Sequence, residues 1–87
     1  MKADKQKLDR LLKTARGQID GILKMIEDDR YCVEIANQII ATEAILHKAN
    51  REVLHAHIDV CLKEAIDSGN AEEKLQEIRG IIDRLTK

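Results

Sequence analysis

Proline is absent from this 87-residue chain, and no glycine occurs between Gly21 and Gly69. Nothing in that interval stops a helix. Apolar residues recur through it: Val33, Ala36, Ile39, Ile40, Leu46, Val53, Leu54, Ile58, Cys61, Leu62 and Ala65. The spacing predicts one helix from about Arg30 to Asp67, roughly 57 Å long at 1.5 Å per residue. A globule of this chain length has a radius of gyration of only about 12 Å. The surplus helix must pack on something, and a second copy of the chain is the economical partner.

Two shorter helices flank it. Leu8, Leu11, Leu12, Ala15, Ile19, Ile22, Leu23 and Ile26 alternate at steps of three and four, which predicts a helix from Lys5 to Glu27. Gly17 and Gly21 fall four apart inside it and suggest a close helix crossing. Asp28-Asp29-Arg30 reads as a turn, with Asp29 as N-cap of the long helix. Ser68-Gly69-Asn70 ends that helix, with Gly69 suited to a left-handed position. A third helix follows from Ala71 to Leu85, with Leu75, Ile78, Ile81, Ile82 and Leu85 inward. The fold class is all-α: three helices in one domain over residues 1–87, the middle one long, assembled as a helical-bundle dimer or larger.

The chain holds 44% hydrophobic and 36% charged residues, a globular composition. No apolar run approaches the ~20 residues of a membrane span, and no signal peptide is visible, so a cytoplasmic location is expected. Residues 1–16 carry a net +4 and residues 17–70 a net −5. On a symmetric oligomer that basic arm becomes a broad positive surface suited to phosphates.

No glycine-rich phosphate loop, G-x-S-x-G or H-E-x-x-H motif is present, and catalysis is not expected. The chemistry lies in Cys32, His57 and Cys61. Free cysteines are commonly buried as small hydrophobes, and His57 is what raises these above that reading. His57 and Cys61 stand one helical turn apart on one face, where an imidazole and a thiolate can share a soft metal ion. Cys32 is the third candidate, but it precedes His57 by 25 residues. On a continuous helix that is about 37 Å, against metal–ligand bonds of about 2.0–2.3 Å. One chain cannot close the site unless the helix breaks. Otherwise Cys32 comes from a second chain in an antiparallel dimer. Two thiolates and one imidazole suit low-coordinate Cu(I). No His near the N-terminus completes a set for Ni(II), Co(II) or Zn(II). His47 and His55 read as surface or interface residues.

Arg16-Gly17-Gln18-x-x-Gly21, Asp29-Arg30-Tyr31-Cys32-Val33, Gln38-Ile39, Ala49-Asn50-Arg51 and His57-x-x-x-Cys61 together resemble the copper-sensitive operon repressor (CsoR) family, over nearly the whole chain. The resemblance implies a bacterial transcriptional repressor, built as a disc-shaped tetramer of four-helix-bundle dimers. It binds operator DNA without metal and releases it on binding Cu(I), derepressing copper-efflux genes. It implies Cu(I) held by Cys32 of one chain and His57 and Cys61 of the other. Tyr31 and Glu77 match outer partners of the ligand His, a copper chaperone is a conceivable further partner, and no membrane is involved. DNA contacts fall on Arg16, Lys48 and Arg51, with Lys7, Arg10 and Lys13 adding phosphate contacts. Leu11 stands where the family commonly has an Arg. The alternatives are a persulfide sensor of the CstR type acting through Cys32 and Cys61, and a plain helical scaffold with no regulatory role. His57 tilts the choice to copper.

Overall fold

The structure is a computed structural model that describes residues 1–85, the side chain of Leu85 excepted. The inward position expected for Leu85 therefore lies outside the described residues. Three helices account for the fold: α1 (Lys5–Glu27), α2 (Cys32–Ser68) and α3 (Ala71–Leu85). No strand occurs among the described residues, and no helix is long and apolar enough to cross a membrane.

The helix ends follow from local chemistry. Asp4 caps α1, its Oδ1 accepting from the backbone N–H of Gln6 at 3.0 Å and Lys7 at 3.3 Å. At the other end Asp29 adopts φ 53°, donating its N–H to Ile26 O at 3.1 Å, while Arg30 N–H reaches Met25 O at 2.9 Å. This pair of bonds, with a left-handed residue between helix and exit, is a Schellman closure. Asp29 thus ends α1 and does not cap α2, contrary to the sequence expectation. Aspartate serves either purpose, because its short polar side chain tolerates the left-handed region. α2 starts at Cys32, with Tyr31 O accepting from Glu34 at 3.0 Å and Ile35 at 3.2 Å. The expected C-terminal turn is present: Gly69 takes φ 77°, and its N–H bonds Ala65 O at 3.0 Å.

The chain forms two compact units, one of Asp4–Glu52 and one of Val53 onward with Met1–Ala3. In the first, Leu8, Ala15 and Ile22 are buried on α1, and Thr42 and Ala49 on α2. Their seven-residue steps mark a coiled-coil-like seam. The Thr42 hydroxyl stands 2.9 Å from Gln18 Oε1 and 3.0 Å from Gln38 O, so the one buried polar side chain among the described residues is satisfied. In the second unit Cys61 and Ala65 are buried.

Much of the predicted stripe is not buried within one chain. Leu12, Ile19, Leu23, Ile26, Val33, Ile39, Ile40, Leu46, Leu62, Leu75 and Ile82 are exposed. A stripe of that width exceeds the seam that one neighbouring helix covers. Within one chain no helix crosses closely at Gly17 and Gly21, since a Cβ added at either would meet nothing within 4 Å among the described residues. Both glycines lie on an exposed part of α1.

Candidate metal centre

α2 presents His57 and Cys61 one turn apart, and α3 brings Glu77 against them. His57 Nε2 lies 2.7 Å from Glu77 Oε1 and 3.3 Å from Cys61 Sγ, and Cys61 Sγ lies 4.0 Å from the same carboxylate oxygen. These three residues are the cluster of His, Cys and acidic side chains whose ligand atoms lie within 4.8 Å of one another. Cys61 is buried, while the side chains of His57 and Glu77 remain 41% exposed, so the cluster is open on one side.

The charges are matched. Lys74 is half-buried and sets Nζ 3.5 Å from Glu77 Oε2, leaving Oε1 to His57. The hydrogen bond from His57, and then the charge of Lys74, hold the Glu77 carboxyl below its ordinary range. A carboxylate accepts only, so His57 Nε2 is the donor in this pair. The negative charges of Cys61 and Glu77 push Lys74 above its ordinary value.

Cys32 and Tyr31 are not part of this cluster. Both stand at the start of α2 and both are exposed, Tyr31 at 69%. The helix break that a one-chain site with Cys32 would need is absent, because α2 is continuous from Cys32 to Ser68. His47 and His55 are exposed. Spacing alone gave no sign of Lys74; its one signal is the i,i+3 relation to Glu77.

Three of the expected DNA-contact residues converge. Lys7, Arg10 and Lys48 line one depression of about 220 Å³, together with half-buried Leu11. Lys7 is paired with Glu52 at 3.0 Å and Lys13 with Asp9 at 2.7 Å. Arg16 and Arg51 are exposed and do not line this depression.

Residues 4–84 match the sequence model of a family described as metal-sensitive transcriptional repressors. Copper-sensing transcriptional repressor CsoR of Mycobacterium ulcerans is 42% identical over 67 residues, which is 77% of this chain and 57% of that protein. The chain thus spans little more than half the length of the mycobacterial CsoR proteins that it matches. The Bacillus subtilis repressor of the same name is 36% identical over 84 residues, covering 97% of this chain and 83% of that one. Among solved structures, the copper-sensing repressor CsoR with Cu(I) from Geobacillus thermodenitrificans superposes with TM-score 0.83 at 35% identity, over 94% of this chain and 85% of that one. The nickel-responsive transcriptional regulator InrS superposes with TM-score 0.86 at 30% identity, over 98% and 96%.

Proposed function

The chain belongs to the metal-sensitive transcriptional repressor family, and from that membership we propose that it is a Cu(I)-responsive repressor acting as one functional domain in the cytoplasm. In the proposal a symmetric oligomer without metal holds operator DNA through its basic faces and represses copper-efflux genes. The observation that carries the reading is His57, with Cys61 beside it and Glu77 on its Nε2 at 2.7 Å. An imidazole whose far nitrogen is fixed by a carboxylate is a pre-oriented ligand. A thiolate one turn away supplies the soft donor.

Cys32 of a second chain is the third ligand in this proposal, for the reason α2 provides: an unbroken helix separates it from His57 in its own chain. The exposed apolar stripe of α1 and α2 is the surface on which such a second chain packs. If Cu(I) is bound, the two thiolates and the His57 imidazole would hold it, a soft donor set suited to that ion, and Glu77 would keep its hold on Nε2 of the imidazole. Glu77 therefore reports ligation from α2 to α3. If metal favours an arrangement other than the one that fits DNA, each ligand weakens the other by the same factor.

The test is fluorescence anisotropy of the chain on its own promoter DNA, anaerobically, during a Cu(I) titration. Stoichiometric Cu(I) should release the DNA, and His57→Ala should prevent release. DNA that stays bound at saturating Cu(I) would overturn the reading and make an organic persulfide the next titrant.

A further inference from the structure

We infer that Lys74 is a positioning residue of the sensor: its ammonium holds one oxygen of the Glu77 carboxylate, keeps the other on His57, and so lets a change at His57 reach α3. The inference rests on the Cu(I)-responsive reading for what that change is, and adds a residue which that reading does not use.

The carboxylate needs a second partner. Glu77 reaches His57 through a flexible side chain that is 41% exposed. Rotation about the terminal bond of a glutamate is broad, and water competes for both oxygens. With His57 alone, either oxygen could face the imidazole, or neither. Here each oxygen has its own partner. Oε1 lies 2.7 Å from His57 Nε2, and Oε2 lies 3.5 Å from Lys74 Nζ. Partners on both oxygens fix the plane of the carboxylate, which is how a supporting group pre-organises the one it holds.

Helix stability does not account for the pair. Lys74 N–H bonds Asn70 O at 3.2 Å, so Lys74 closes the first turn of α3. A cation there meets the positive end of the helix dipole. The order is also the weaker one, since an acidic residue before a basic one suits a helix better than the reverse. Exposure points the same way. In the other ion pairs of a lysine or arginine among the described residues, the basic side chain is 45% exposed or more, whereas that of Lys74 is 28% exposed. The side chain is turned inward against a local preference for pointing away. The groups whose negative charge acts on it are Cys61 on α2, Glu77 on α3 and Glu64 on α2. Lys74 therefore sits across the contact between the two helices that carry the candidate metal centre.

Metal affinity and coupling should separate at this residue. Without the ammonium, His57 and Cys61 are still present as ligands. The Glu77 carboxylate then divides its time between His57 and water, and the link to α3 loosens.

The experiment compares the full chain with its Lys74→Met and Lys74→Arg variants. Methionine keeps an unbranched stem and good helix propensity but removes the charge, so folding is not at stake; arginine keeps the charge. Cu(I) affinity against a chelator should fall by less than about tenfold in Lys74→Met, the low end for losing an outer partner. The ratio of DNA affinities without and with Cu(I) should fall by about two- to fivefold, the factor that a partly exposed ion pair carries. In metal-free protein labelled with 15N-histidine, the His57 ring N–H, assigned by its loss in His57→Ala, should exchange faster with water. Lys74→Arg should restore both the ratio and the slow exchange. In a Glu77→Gln background Lys74→Met should change neither further, because it acts only through that carboxylate. A wild-type ratio or wild-type ring exchange in Lys74→Met would overturn the inference. So would an equal loss in Lys74→Arg, which would assign the effect to packing of the stem, or a further loss in the Glu77→Gln background. If Cu(I) leaves DNA bound to the wild-type chain, the copper reading fails, and the ring N–H decides the role of Lys74 by itself.

Discussion

His57 and Glu77 come from different helices, 20 residues apart, and meet at 2.7 Å through Nε2 and Oε1. The carboxylate accepts from the imidazole and joins α2 to α3 at the candidate metal centre. Removing that carboxylate should uncouple metal from DNA before it prevents metal binding. For Glu77→Ala, Cu(I) affinity measured against a chelator should fall by no more than about tenfold, the low end for losing an outer partner. The ratio of DNA affinities without and with Cu(I), commonly worth about 1–3 kcal/mol in such linkage, should collapse toward one. An unchanged ratio would remove Glu77 from the coupling.

The interchain assignment of Cys32 has a test that needs no structure. Cys32→Ser and Cys61→Ser chains should each lose Cu(I) binding when alone. In a mixed dimer, the Cys61→Ser chain donates Cys32 to the His57–Cys61 pair of the other chain. Each mixed dimer should regain one of its two sites, so random 1:1 reassortment, in which about half the dimers are mixed, should restore Cu(I) binding to about a quarter of the wild-type stoichiometry. An intrachain site would recover none.

Acid should remove the Glu77 contribution to the stability of the metal-free protein. Its carboxyl lies below the ordinary value of 4.5, held there by the His57 hydrogen bond and Lys74. A lowered folded-state value means stabilisation that is present above 4.5 and lost as pH falls through the lowered value. Lys74 is shifted the other way, above 10.5, so its contribution persists below 10.5 and disappears only at higher pH. Urea midpoints for wild type and Glu77→Gln should therefore differ at neutral pH and converge as acid titrates the Glu77 carboxyl below the ordinary carboxylate range. A gap that does not narrow with acid would mean that Glu77 acts by packing and not by charge.

The limits of α1 and α3 were legible because period-three-and-four apolar residues run up to clear stops, with Gly69 before α3. The start of α2 was not. Asp29 suits an N-cap and a left-handed exit equally well, and only the sign of φ, 53° here, decides between them. Periodicity found the apolar face of α1 but could not say what covers it, and Leu12, Ile19 and Leu23 on that face are exposed in the single chain. His57 and Cys61 were legible from four-residue spacing. Glu77 was not, except through family resemblance, since pairing between α2 and α3 is set by the turn at Ser68–Asn70 and leaves no trace in local pattern. Lys74 escaped notice because an i,i+3 Lys–Glu pair is ordinary on any helix surface.

Salt dependence should separate the basic residues that touch phosphate from those held within the chain. Lys48 and Arg10 line the same depression, and neither has an ion pair described in the structure. Lys13 is committed to Asp9 at 2.7 Å and Lys7 to Glu52 at 3.0 Å. A lysine that must leave a carboxylate to meet a phosphate gains less from the exchange. In a plot of log affinity against log salt, each lost phosphate contact reduces the slope by about 0.9. Lys48→Ala and Arg10→Ala should each reduce it by about that amount for every chain engaged, and Lys13→Ala by less. Glu52→Gln should do the opposite, freeing Lys7 and tightening DNA binding most at low salt, where unscreened charge counts most. Anisotropy over a salt series measures all four. A Lys48→Ala slope equal to wild type would move the DNA interface away from this depression, and an unaltered Glu52→Gln affinity would remove Lys7 from it.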